Sequence, residues 1–193
     1  MTAREQGEFP LPELFVVVAS AEDATAFAPL AIRDLEVRPV LVATGPDPMA
    51  VDEVLDDLGA LAGRVLLVET PAAGPVHETA ALLPRVDALV ADDRPAAVLV
   101  RGGSPTALAA TQVAVWREVP VVAVPVEGGT AVEDANQAAI AALVATQDAH
   151  RVAPEEVRAA AAAQRLVRER LTGGDGSRVL RLPTDRSRSG LSA

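Results

Sequence analysis

The chain has no cysteine, no tyrosine and no lysine: all 17 of its basic residues are arginine. Without cysteine there is no disulfide framework, thiolate nucleophile or zinc–thiolate site, a composition that fits the cytosol. Without lysine there is no Schiff-base chemistry and no phosphate-loop lysine. Aromatic residues are scarce, one Trp and three Phe in 193 positions. The two histidines, His77 and His150, are far apart and neither has a partner at metal-ligand spacing, so no metal and no cofactor is expected. No apolar stretch approaches the roughly 18 residues of a membrane span. The opening "MTAREQGEFPLP" carries mixed charge and no signal-peptide core. A soluble, cytoplasmic chain follows as the expectation.

What is present is acid and aliphatic residues. Half of the chain is hydrophobic and the formal charge is −10. Residues 1–150 hold 22 acids against 8 arginines, residues 151–193 only 5 acids against 9 arginines. The body repels nucleic acid, and only the tail attracts anions. The length suits one domain.

Five short apolar runs, at 14–19, 40–43, 65–68, 96–100 and 119–124, are continuous rather than alternating, as strands covered on both faces are. Segments of helical spacing lie between them, near 23–35, 51–58, 76–90, 104–116, 131–145 and 154–171. Asp52, Glu53, Asp56 and Asp57 read as the solvated face of the second helix. Pro84 predicts a kink or split in the third, and Trp116 a core position closing the fourth. Strand alternating with helix at this pitch predicts an α/β fold: a single doubly wound, Rossmann-like open parallel sheet with helices on both faces. "SRVLRLP" at 177–183 could supply a last strand. The expected organisation is an extension at 1–12, a domain at 13–183 and a disordered tail at 184–193.

In such sheets ligands sit off the carboxyl ends of the strands, here residues 20–23, 44–48, 101–106 and 125–130. The third reads "RGGSPT": Gly102 and Gly103 allow a tight turn, Ser104 suits the N-cap, and Pro105 suits the first helical position. Helix-start amides beside Arg101 suit a phosphate or carboxylate, and a bare turn and cap is the alternative. Ser104 reads as a cap and not a nucleophile. "VEGGT" at 126–130 places Glu127 near the same edge, either as a functional group or in a plain glycine turn. Glu133 and Asp134 open a helix, where the dipole favours negative charge. Ser20 and Gly45 complete the ligand-binding candidates.

Several motifs in order carry a resemblance. "ASAEDATAFAPL" keeps Ala28-Pro29-Leu30, Thr44-Gly45-Pro46-Asp47 follows the second strand, and "VLDDLG" ends the next helix; "PAAVLVRGGS" (95–104), "VPVVAVPVEGGT" (119–130), "VEDANQ" (132–137) and "APEE" (153–156) follow. Together they resemble the N-terminal domain of the non-hydrolysing UDP-N-acetylglucosamine 2-epimerases, of glycosyltransferase-B type architecture. The resemblance implies a domain that is half of such an enzyme. In the family the other half holds most of the nucleotide, and acid and base groups in the cleft invert the sugar at its second carbon. Here the motif Arg falls on Ala21, the motif Asp on Gly103, and the closing Arg on Gln137. One motif Glu falls on Pro125, or on Glu127 if the loop has shifted, and the other is retained as Glu133.

The expected function is therefore a non-catalytic epimerase-like domain that binds a partner enzyme or a small anionic ligand, as a homodimer or in a hetero-complex with a sugar-nucleotide enzyme. Two alternatives stand: one half of a split epimerase or glycosyltransferase, with Glu133 and Glu127 as its catalytic residues, and a free-standing nucleotide or sugar-phosphate binder.

Overall fold

A computed structural model describes residues 11–32, 34–68, 74–150 and 154–171. Five strands, β1 (Glu13–Val18), β2 (Arg38–Ala43), β3 (Arg64–Val65), β4 (Ala97–Arg101) and β5 (Val121–Val124), form one parallel sheet in the order β3-β2-β1-β4-β5. Six helices accompany them: α1 (Ala21–Phe27), α2 (Pro48–Asp57), α3 (Pro75–Asp93), α4 (Pro105–Trp116), α5 (Ala131–His150) and α6 (Pro154–Leu171). The doubly wound α/β architecture is as the apolar runs predict.

The runs are continuous because successive strand residues enter two different cores. Leu14, Val16 and Val18 of β1 point into one, with Leu41 of β2, Leu99 of β4 and the inner faces of α1, α2 and α6. Phe15 and Val17 point into the other, with Val98, Val100 and the inner faces of α3, α4 and α5. Each fully buried Leu or Phe contributes about 1.5–3 kcal/mol relative to exposure, so strands apolar on both faces are tied to both layers of helix.

Local chemistry sets the helix starts. Ser20, Asp47 and Ser104 each accept a hydrogen bond from the amide three residues on, and Pro48 and Pro105 follow two of them at the first helical position.

Four expectations are corrected. The first helix stops at Phe27 and gives way to a 3-10 turn at Ala28–Ala31, because Pro29 has no amide to continue the α ladder. The third apolar run pairs over only Arg64–Val65, leaving Val65 and Leu67 exposed. Of the kink or split expected at Pro84, the split does not occur: helix α3 is continuous over Pro75–Asp93, with the proline on its exposed side. Trp116 is not core; it is 64% exposed, beyond the last buried residue of α4, Ala114. The expected strand at 177–183 and tail at 184–193 lie outside the described residues, as does most of 1–12. Among the described residues no helix is long and apolar enough to cross a membrane.

Candidate functional site

Strand β1 lies between β2 and β4, so the chain leaving β1 turns to α1 on one face while the chain leaving β4 turns to α4 on the other. Such divergence opens a crevice at the carboxyl edge. It holds a cavity of about 350 Å³, walled by the segments that follow β1, β4 and β5. Ser20, Arg101, Gly102, Gly103, Ser104, Glu127 and Glu133 all line it, and Gly45 sits just outside next to Pro46, which does. The four strand ends therefore deliver the sequence candidates to one place.

Their side chains are largely engaged with each other. Arg101 donates from Nη1 to Asp23 Oδ1 at 2.9 Å and from Nη2 to Glu22 Oε1 at 2.7 Å. Asp23, only 7% exposed, also accepts the Ala19 amide at 3.3 Å. Burial raises the Asp23 carboxyl above its ordinary range despite the opposing hydrogen bond from Arg101. For Arg101 burial acts downward, but the two carboxylates together raise it. The guanidinium expected to meet an anion is thus held by two anions of the chain itself. At the start of α4, Ser104 Oγ accepts the Ala107 amide at 3.0 Å, and the buried Thr106 hydroxyl donates to Glu78 at 2.7 Å. Ser20 likewise accepts the Asp23 amide at 3.1 Å.

Gly102 has φ +66°, a left-handed conformation that glycine adopts without strain. Gly103 is required for a different reason: a Cβ there would lie 1.8 Å from the carbonyl oxygen of Glu133 and 2.8 Å from the amide of Gln137. Helix α5 occupies the space, and Asn136 Nδ2 donates to the Gly103 carbonyl at 2.9 Å. Gly45, at φ +92°, is pressed against the chain leaving β1, its absent Cβ 2.4 Å from the Ala19 carbonyl oxygen.

Glu133 belongs to a capping box. Its carboxylate accepts the Thr130 amide at 2.7 Å, and its own amide donates to the Thr130 hydroxyl at 3.3 Å. The Thr130 amide first, and the Thr130 hydroxyl after it, hold the Glu133 carboxyl below the ordinary range, which suits a cap and weakens a base. Glu127 is exposed on the loop after β5. Glu78 and Asn136 were not singled out in the sequence, and Gln137 only as the place of the motif Arg. Glu78 reaches the cleft from α3, packed beside α4, and Gln137 fastens the loop through the Val126 amide and carbonyl at 2.8 and 3.2 Å.

Six carboxylates, on Glu22, Asp23, Glu78, Glu127, Glu133 and Asp134, thus surround one paired guanidinium. Among the described residues no group of three or more His, Asp or Glu could hold a metal ion. The cleft presents hydrogen-bonding groups and negative potential, with its one lining hydroxyl pair, Ser20 and Ser104, engaged in helix caps.

No family model matches the chain, and no curated protein matches it. Among solved structures, it is similar to a UDP-N-acetylglucosamine 2-epimerase at 23% identity, over 70% of this chain and 40% of that one, with a TM-score of 0.60. It is similar to the UDP-GlcNAc 2-epimerase from Neisseria meningitidis bound to UDP-GlcNAc at 22% identity, over 68% and 38% of the two chains, with a TM-score of 0.59. The Methanocaldococcus jannaschii enzyme in complex with UDP-GlcNAc and UDP gives 17% identity, over 81% and 43%, with a TM-score of 0.56. The chain spans about two-fifths of the length of these proteins. At such identities the likeness is one of fold: this chain folds as part of a UDP-N-acetylglucosamine 2-epimerase does.

Proposed function

We propose that the chain is a non-catalytic, epimerase-like binding domain whose carboxyl-edge cleft docks against a partner carrying the sugar-nucleotide chemistry. One observation carries this reading. At position 103, where the resemblance puts an acidic group, the backbone of α5 lies 1.8 Å from where a side chain would begin. The place is closed sterically, so the proton-handling group is not merely absent but has no room. Moving a proton without a positioned group forfeits about 10²- to 10⁴-fold in rate. Ala21 offers no charge in place of the motif Arg, and Arg101 is neutralised by Glu22 and Asp23.

The internal neutralisation of Arg101 also favours a partner surface over a free phosphate, which would have to displace two carboxylates. Incubation with UDP-N-acetylglucosamine in deuterated water tests the reading: no deuterium should enter the second carbon. The rival reading, half of a split enzyme, is favoured by Glu133 lining the cleft. Protein-dependent label that disappears in Glu133→Gln would establish it and overturn ours. Arg101→Ala abolishing the binding of inorganic phosphate by the wild type would instead favour the small anionic ligand.

A further inference from the structure

Within the acidic body of the chain, charge is concentrated at the cleft. Six carboxylates stand there against one guanidinium, which Glu22 and Asp23 already hold. Part of that excess is structural. Helices α1, α3, α4 and α5 all begin at the cleft, and acids in the first turns of α1, α3 and α5 offset the dipoles of helix starts. Each start carries about half a positive charge, so the four together balance roughly two of the surplus carboxylates and leave an excess of about three. The flanks add an independent feature. Helix α4 lies between α3 and α5, and Val76 and Val132, each the second residue of its helix, stand 76% and 53% exposed on either side of its start. Beside Val132, Glu133 Oε2 and Asp134 Oδ1 come within 3.3 and 3.5 Å of the point where a side chain on Gly129 would begin, so the glycine leaves the approach to both uncovered.

Resting on the docking reading above, we propose that the partner presents a basic protein surface: an arginine or lysine side chain enters the cleft among Glu22, Glu127 and Asp134, and apolar residues beside it cover Val76 and Val132. The crevice and its flanks fix the place, and the charge selects the occupant. A cavity of about 350 Å³ is at the small end of ligand sites, roughly 300–1,000 Å³, which suits one or two long side chains. An anion would enter against the residual field, in a chain of formal charge −10. A free small cation would answer the carboxylates but leave Val76 and Val132 in water, whereas a protein surface buries both. Glu22 can turn from Arg101 to the newcomer at little cost, because its side chain is 73% exposed and an exposed ion pair is worth little. Asp23, with its side chain 10% exposed, keeps the guanidinium in place meanwhile. Opposite charge on the two surfaces speeds their encounter, and salt slows it.

Two acetylated and amidated peptides, Leu-Arg-Gly-Arg-Leu and Leu-Glu-Gly-Glu-Leu, serve as probes, with spermine as the free cation. Amide shifts of the isotope-labelled full chain read the binding. The basic peptide should shift amides at 20–23 and 126–134 and bind more weakly, by about threefold or more, when salt is raised from low to physiological strength. Glu127→Gln with Asp134→Asn should weaken it by about fivefold, whereas Glu53→Gln with Asp56→Asn, which removes the same charge from the exposed face of α2, should change it by less than about twofold. Val76→Ser with Val132→Ser should weaken the peptide and leave spermine unaffected. Equal weakening by the two charge pairs, spermine bound as tightly as the peptide, preference for the acidic peptide, or no shift at the cleft at millimolar peptide would each overturn the proposal. Deuterium at the second carbon of the sugar nucleotide judges the docking reading separately: no label with no peptide binding sinks only the basic partner, and label with peptide binding sinks only the non-catalytic reading.

Discussion

The carbonyl oxygen of Glu133 stands 1.8 Å from the point at which a side chain on Gly103 would begin. Neither atom can retreat cheaply, because one belongs to the first turn of α5 and the other to the turn that starts α4. Gly103→Ala is expected to cost roughly 3 kcal/mol, the upper end for overpacking, or a Tm fall of about 6–12 °C at this chain length. Gly103→Asp should be no better, although it restores the acid the resemblance calls for. Thermal unfolding of the two variants checks this: an unchanged Tm for Gly103→Asp would show that α5 gives way and that the cleft accepts a carboxylate.

Arg101→Met leaves Asp23 buried with only the Ala19 amide. The loss should be roughly 3 kcal/mol at neutral pH, as for a broken buried pair. Because burial already raises the Asp23 carboxyl in the folded chain, the folded state binds its proton more tightly than the unfolded state does. Its contribution is therefore most favourable in acid and declines as pH rises through the folded value. Removing Arg101 raises that value further, so the penalty of the variant should shrink as pH falls toward 4. Denaturant unfolding at several pH values reads it; a penalty independent of pH would mean that Asp23 does not depend on Arg101.

Asp34 behaves in the opposite sense. Burial alone would raise its carboxyl, but the amides of Glu36 and Val37 and the guanidinium of Arg165 together hold it low. Stability from this group is present above the unfolded value and lost as pH falls through the folded one. Asp34→Asn should cost about 1–2 kcal/mol at pH 7 and little at pH 2–3. A difference that persists in acid would place the cost in packing and not in charge.

Thr130→Ala should fray the first turn of α5 and cost about 1 kcal/mol, the usual value of an N-cap. Glu133→Gln keeps a side-chain acceptor for the Thr130 amide and should leave exchange at that turn nearly unchanged, whereas Glu133→Ala should accelerate it. Faster exchange with Gln would show that the negative charge, and not the hydrogen bond, holds the turn.

Trp116 is the single tryptophan and there is no tyrosine to obscure it. With 64% of its surface exposed, its fluorescence should resemble that of the unfolded chain in emission maximum and in access to iodide. A blue-shifted, protected indole in the purified protein would reveal self-association over the end of α4.

How far the sequence could be read depended on whether a residue's surroundings are local. The strands were legible because residues such as Leu14 and Phe15 must be apolar to enter two cores, and the starts of α1, α2 and α4 because Ser20, Asp47 and Ser104 act within three residues. Trp116 misled because α4 is apolar on nearly every side, so no stripe marks its buried face. Val65 and Leu67 misled because an apolar run marks a strand but not how long its partner continues. In the cleft, sequence order placed Arg101, Gly103, Glu127 and Glu133 together but not what holds them. The clamp on Arg101 crosses 78 positions to Asp23, and Glu78 meets Thr106 from another helix; no spacing rule encodes either.

The two lateral walls of the cleft also differ in their tolerance of change. On one side Gly45 is jammed against Ala19, so the chain segments leaving β1 and β2 move as a unit with the sheet beneath them. On the other, Glu127 stands exposed on the loop after β5, next to Gly128, whose φ of +82° keeps that one position for glycine although the space around it is open. A substitution on the first wall must deform the sheet, while one at the tip of the second alters only what the cleft touches. Selection for a new partner can therefore act on the loop after β5 at little cost to folding, and the opposite wall stays as a fixed reference against which any such change is registered.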